Sequence, residues 1–179
     1  MSVPRSLMLF SLLILLGGCG GGQTATVSYD ASADRTTYQT RSYTVSTISG
    51  ENYASSKEIT MRAVARCQGK ECAPDQVQLI FSATGTDQLA LSGVNGEIVA
   101  DGSRISWTST EANSDLGGIA EDQVLRVGGK FAVIDLRFSQ LETIAMAGSV
   151  EGSIGGQSLD ISSGVQSGFQ DLLRKIPQG

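Results

Sequence analysis

Apolar side chains fall at every second position through most of this chain, the period of a strand with one buried face. In EITMRAVARC, Ile59, Met61, Ala63, Ala65 and Cys67 share one face, while Thr60, Arg62 and Arg66 take the other with Val64 among them. QVQLIFSA repeats the pattern through Val77, Leu79, Phe81 and Ala83, and QLALS through Leu89 and Leu91. EIVADGSRISW predicts a hairpin, because Asp101-Gly102 suits a type I′ turn whose two central residues need positive φ. Ile105 and Trp107 then point the same way. Gly128-Gly129 predicts a turn before FAVIDLRF, in which Ile134, Leu136 and Phe138 face inward and Asp135 and Arg137 outward. A third glycine turn, Gly155-Gly156, sits between Val150 and Ile154 on one side and Leu159 and Ile161 on the other. RTTYQTRSYTVSTI, rich in Thr and Tyr, adds a strand or two.

Two segments switch to helical spacing. SQLETIAMAG sets Leu141, Ile144 and Ala145 on a short helix ended by Gly148. SGVQSGFQDLLRKIPQG places Val165, Phe169, Leu172, Leu173 and Ile176 on one face of a terminal helix, 163–176. Ser162 or Ser163 caps it, Arg174 and Lys175 suit its C-terminal end, and Pro177 stops it. The fold class is therefore all-β: a sandwich or small barrel of about seven to nine antiparallel strands with a C-terminal amphipathic helix. An outer-membrane barrel would need strands of about 9 to 11 residues with aromatic girdles. Aromatics are only 6% of this chain, and several runs are shorter.

The first residues follow a different rule. Arg5 is the only charge before Leu7–Leu16, an apolar run of ten residues interrupted by Ser11. Such a run is too short to span a bilayer, which takes about 20 apolar residues. With the small Gly17 and Gly18 behind it, the segment reads as a signal peptide, 1–18. Leu16-Gly17-Gly18-Cys19 resembles the lipobox of bacterial lipoproteins: Leu, a small residue, Gly or Ala, then Cys. The resemblance implies that Cys19 receives a diacylglyceryl group and becomes the first residue of the mature chain. It implies a membrane partner through that anchor. With Gly20 rather than Asp after the cysteine, it also implies the outer membrane of the cell envelope. Each buried methylene contributes about 0.8 kcal/mol, so two or more acyl chains hold firmly. Gly20-Gly21-Gly22 and the polar residues after them read as a flexible tether, giving three parts: signal 1–18, tether 19–35 and domain 36–179.

Removing residues 1–18 from 179 leaves 161, one domain's worth, with a net charge that moves from −5 to −6 as Arg5 is lost. No basic stripe accompanies this acidic balance, so nucleic acid is not an expected partner. The chain has no histidine. That removes Ser-His and Cys-His nucleophile pairs, histidine proton shuttles and histidine metal ligands. Cys67 and Cys72 remain after Cys19 is assigned to lipid. An exported pair closing a small loop around Gly69 reads as a disulfide stapling the hairpin of its two flanking strands.

Other chemistry-bearing residues carry weaker signals. The loop TEANSDLGGIAED gathers Glu111, Asn113, Asp115, Glu121 and Asp122 around Gly117-Gly118, oxygen ligands of the kind calcium takes. The spacing matches no EF-hand, and a solvated loop is the expected role. Glu97, Asp101, Asp135 and Asp160 are candidate acid-base carboxylates, though Asp101 already has a turn to make and Asp135 alternates outward. Lys57, Lys70, Lys130 and Lys175 are the candidates for a Ser-Lys pair, none inside a nucleophile motif. Trp107, sharing its face with Ile105, is expected in the core; Tyr38, Tyr43 and Tyr53 either line a face or fill an edge. No cofactor motif is present. The expected function is a non-enzymatic structural or interaction lipoprotein whose partner is another envelope protein. A carrier of an apolar ligand, held between the sheets or under the terminal helix, comes second, with the apolar face of that helix and the small Ala63, Ala65 and Ala83 leaving room. A histidine-free hydrolase comes third.

Overall fold

The computed structural model describes residues 24–48, 57–84, 91, 95–108, 110–111 and 130–177. Among these described residues, eleven strands form two antiparallel sheets. The larger contains β1 (Ala25–Asp30), β2 (Arg35–Thr40), β3 (Tyr43–Ile48), β4 (Lys57–Gln68), β5 (Val77–Thr84), β8 (Thr110–Glu111) and β9 (Lys130–Leu136). The smaller contains β6 (Asn95–Ala100), β7 (Ser103–Thr108), β10 (Val150–Ile154) and β11 (Gln157–Leu159). The described residues also form two helices, α1 (Phe138–Met146) and α2 (Ser163–Lys175). The order in the large sheet is β1-β2-β4-β5-β9-β8, with β3 also on β4; in the small sheet it is β11-β10-β6-β7. This is the all-β sandwich with a C-terminal helix. The strand number exceeds the sequence expectation because β1 was read as tether and the two-residue β8, too short to show a period, as part of the acidic loop.

β4 is the spine. At twelve residues it is long enough for β3 to pair with its first half and β2 with its second. Register puts residues of one parity opposite each other: Met61 with Phe81, Ala63 with Leu79, and then Leu79 with Ile134. These side chains make the inner face, all buried in one continuous core with Ile98, Ile105, Ile154 and Leu159 of the small sheet. The sequence pattern dictated this, since each strand presents its apolar set at every second residue. Ala63, Ala65 and Ala83 are buried within that core.

The sandwich is nearly closed at both sides. Only one residue separates β7 from β8, where the chain leaves the small sheet for the large one. On the opposite side a register shift between Thr44 and Ser46 bulges β3 at Val45. Its carbonyl accepts a 2.6 Å hydrogen bond from the Asp160 amide just after β11. A bulge redirects backbone groups out of its own ladder, and here they tie the sheets together.

The hairpins follow their turn residues. Asp101 and Gly102 take φ of 47° and 82°, the two positive values of a type I′ turn, and Gly155 and Gly156 do likewise at 56° and 78°. Asp101 also accepts hydrogen bonds from the Gly148 and Ser149 amides at 3.0 and 2.9 Å, pinning this turn to the segment after α1. The Gly128-Gly129 turn and the strand around Leu89 lie outside the described residues. Phe138, expected to continue the inward alternation, instead opens α1. Part of the segment read as tether, 19–35, is instead structured: Ala25–Asp30 form β1, paired along their whole length with β2.

Cys67 and Cys72 are bonded, with Cα atoms 5.9 Å apart, and bridge the end of β4 to the loop before β5. The loop docks on β2: Thr36 Oγ1 donates to the Gly69 carbonyl at 2.6 Å and the Tyr38 hydroxyl to the Cys72 carbonyl at 3.1 Å. Replacing both cysteines by alanine is expected to cost about 2 kcal/mol, the loop-closure entropy of so short a ring. Urea unfolding of the double variant checks this; an unchanged midpoint would mean that the β2 contacts alone hold the loop.

Candidate functional site

Among the described residues, those singled out from the sequence do not converge on a catalytic centre. Glu97 pairs with Arg104 at 2.7 Å, the cross-strand neighbour of Val99. Asp101 is engaged in its turn, and Asp135 accepts from the Gln78 amide at 3.0 Å on the outer face of the large sheet. Asp160 is exposed beside the bridge to β3. Lys175 donates to the Ala25 carbonyl at 2.7 Å rather than to a serine. Glu111 stands on β8 opposite Ala132 instead of in a loop, while Asp115, Glu121 and Asp122 lie outside the described residues. Among the described residues no three His, Cys, Asp or Glu side chains gather to hold a metal. Cys19 and Tyr53 also lie outside them.

Trp107, Tyr38 and Tyr43 pack inside the fold. Trp107 stacks on Phe81, centroids 6.0 Å apart and planes 21° from parallel, so it bridges the two sheets. Gly96 faces it across the β6–β7 ladder, and a Cβ there would run into the indole ring. Tyr38 and Tyr43 are buried. The Tyr43 ring carries the Arg41 guanidinium 4.8 Å from its centroid, while its hydroxyl abuts Gly168 of α2.

Three surface features remain. The first is a polar ladder on the outer face of the large sheet. Arg66 donates to Gln78 at 2.8 Å, and Gln78 in turn to Asp135, so one chain of bonds crosses β4, β5 and β9. Partial burial holds the Arg62 and Arg66 guanidinium pKa values below their usual range, and at Arg66 the nearby Arg35 and Arg62 add to this. Arginine remains charged even so. The second is an open groove of about 650 Å³ between the outer sides of α1 and α2, walled by Phe138, Met146, Leu173, Ile176 and Pro74. Met146, at its rim, is 66% exposed.

The third is the start of β1, where α2 grips the strand. Asp171 Oδ2 accepts from both the Thr24 hydroxyl and the Ala25 amide at 2.9 Å. With the Lys175 bond to the Ala25 carbonyl, both backbone groups on the outer edge of Ala25 are satisfied by one helical turn. Beyond Ala25 the grip ends. Val27 and Tyr29 share its side of β1 and are 48% and 41% exposed; with Met146 they are the exposed large hydrophobic side chains among the described residues. This grip and this edge were missed in the sequence. The available signal was the alternation Ala25, Val27, Tyr29, together with Asp171 and Lys175 one helical turn apart.

The chain matches no protein-family model, no curated protein and no solved structure. Among the described residues no helix is long and apolar enough to cross a membrane.

Proposed function

We propose that this is a lipid-anchored protein of the bacterial envelope, held by acylated Cys19, whose β domain serves as a non-enzymatic interaction module. The division of the cysteines carries the reading. Cys67 and Cys72 are bonded to each other, as an oxidising compartment favours, which leaves Cys19 at the end of the apolar run as the third cysteine. The short tether supports it as well. From Cys19 to Thr24 the chain extends at most about 17 Å, at roughly 3.4 Å per residue. The domain therefore sits against the membrane surface with the α2–β1 grip at its anchored end.

Native mass spectrometry of protein extracted gently from its own host's membranes tests this. The expected species begins at Cys19, carries an acyl mass and shows the two-hydrogen deficit of the disulfide; Cys19→Ala is expected to leave the membrane fraction. An unlipidated chain starting elsewhere overturns the anchor. The groove between α1 and α2 favours a second reading, a carrier for an apolar ligand, with the ligand outside the helices rather than between the sheets. A co-purifying lipid-like mass would move the assignment there.

A further inference from the structure

We infer that the free edge of β1 pairs antiparallel with the same edge of a second copy of this chain. The inference deepens the interaction-module reading and rests on it, but not on acylation.

Ladder geometry fixes which groups are free. The Arg41 amide donates to the Thr24 carbonyl at 3.0 Å, so Thr24, Thr26, Ser28 and Asp30 turn their backbone groups toward β2. Ala25, Val27 and Tyr29 turn theirs outward. Those of Ala25 are held by Asp171 and Lys175. Those of Val27 and Tyr29 meet no strand among the described residues. Exposed edges are ordinarily guarded by lysine, proline or a bulge. Thr26–Asp30 has neither residue, and its register with β2 is unbroken.

The edge is self-complementary. Pairing centred on Ser28 sets Val27 against Tyr29 of the second copy, and Tyr29 against its Val27. That makes four backbone hydrogen bonds and two apolar cross-strand pairs. Tyr29 is already fixed along the edge by its hydroxyl, which donates to Asp34 at 2.8 Å. The same register brings the acidic tip of one hairpin, Asp30 and Asp34, beside the basic end of α2 in the other copy. There Arg174 is 75% exposed and 3.6 Å from Asp171. A twofold axis through Ser28, normal to the sheet, sets both Thr24 residues at one height, so two tethers can enter one bilayer. The contact is smaller than the roughly 1,200–2,000 Å² of a standard interface, so it forms where copies are concentrated.

Ser28 supplies the test. It would face its own symmetry mate at a non-hydrogen-bonded pair, about 4.5 Å between Cα atoms, within the roughly 4.4–6.8 Å a disulfide spans. In the full chain, in its host's membranes, Ser28→Cys is expected to give a reducible dimer that Asp30→Cys does not. Adding Val27→Pro is expected to abolish it, since proline removes an outward N–H while leaving the β2 ladder intact. The unmodified chain controls for cross-linking through Cys19, and the acyl mass measured on the same sample reports the anchor separately. Monomeric Ser28→Cys overturns the proposal. So does Ser28→Cys bonded to a different protein, which would make the edge a docking strand for another partner.

Discussion

Phe169→Ala is expected to destabilise the domain by about 3–5 kcal/mol, the range for removing a fully buried phenylalanine. Phe169 lies on the buried face of α2 with Val165, Gly168 and Leu172, and none of its surface reaches solvent. The upper part of the range applies because the site has little freedom to collapse. One residue earlier, Gly168 lets the helix backbone close onto the Tyr43 hydroxyl, where any Cβ would overlap it. Two residues later, Asp171 is bonded to Thr24 and Ala25. With the helix held on both sides, the lost ring leaves a cavity that neighbours fill only in part. A domain of this kind has roughly 5–15 kcal/mol in total, so one substitution removes a large share. In urea the midpoint should fall with the slope unchanged. Arg174→Ala, on the exposed side of the same helix, should shift stability by no more than about 0.5 kcal/mol. A loss under about 1 kcal/mol for Phe169→Ala would mean that α2 opens independently of the sheets.

The layers of this fold were legible because alternation is a local signal. Ile59 to Cys67, Val77 to Ala83 and the Asp101-Gly102 turn each state their face or their bend within a few residues, and the structure places them as read. Helical spacing from Val165 to Leu172 was equally plain. What failed was the boundary of the tether. Ala25, Val27 and Tyr29 do alternate, but they follow glycines and are surrounded by small polar residues. What makes Ala25–Asp30 a strand is β2 on one side and α2 on the other, and the α2 contact lies 146 residues away. No local pattern encodes a contact of that separation. The outward-facing Val64 and Ile80 show the same limit. Both are buried although they stand on the face opposite the core, where alternation assigns solvent. The candidate carboxylates were dispersed for a reason the sequence already held: Asp101 had a turn to make and Asp135 an outward position.

Removing the grip itself should be the next most damaging change. Asp171→Ala is expected to cost about 2–3 kcal/mol at neutral pH, because hydrogen bonds to a charged group are worth about 1.5–3 kcal/mol each and the Ala25 amide is left unpaired. The loss should depend on pH, with a sign set by the carboxyl. Burial would raise its pKa, but the Thr24 hydroxyl, the Ala25 amide, Lys175 and Arg174 outweigh burial and hold it below the ordinary 3.8. A carboxyl depressed in the folded state binds protons more readily when unfolded, so its contribution is fully present above the unfolded value. That contribution fades as pH falls through the lower, folded value. The gap between wild type and Asp171→Ala should therefore be constant from neutral pH down to the ordinary aspartate range and shrink below it. Asp171→Asn keeps an acceptor for the Ala25 amide without the charge, so it should lose less at neutral pH, and its gap from wild type should shrink below the ordinary aspartate range as that of Asp171→Ala does, since both lack the titrating group. Urea midpoints for the three chains across acid pH measure both effects. Equal losses for Ala and Asn, flat with pH, would show that the carboxylate charge contributes nothing and that α2 holds the first strand by packing alone.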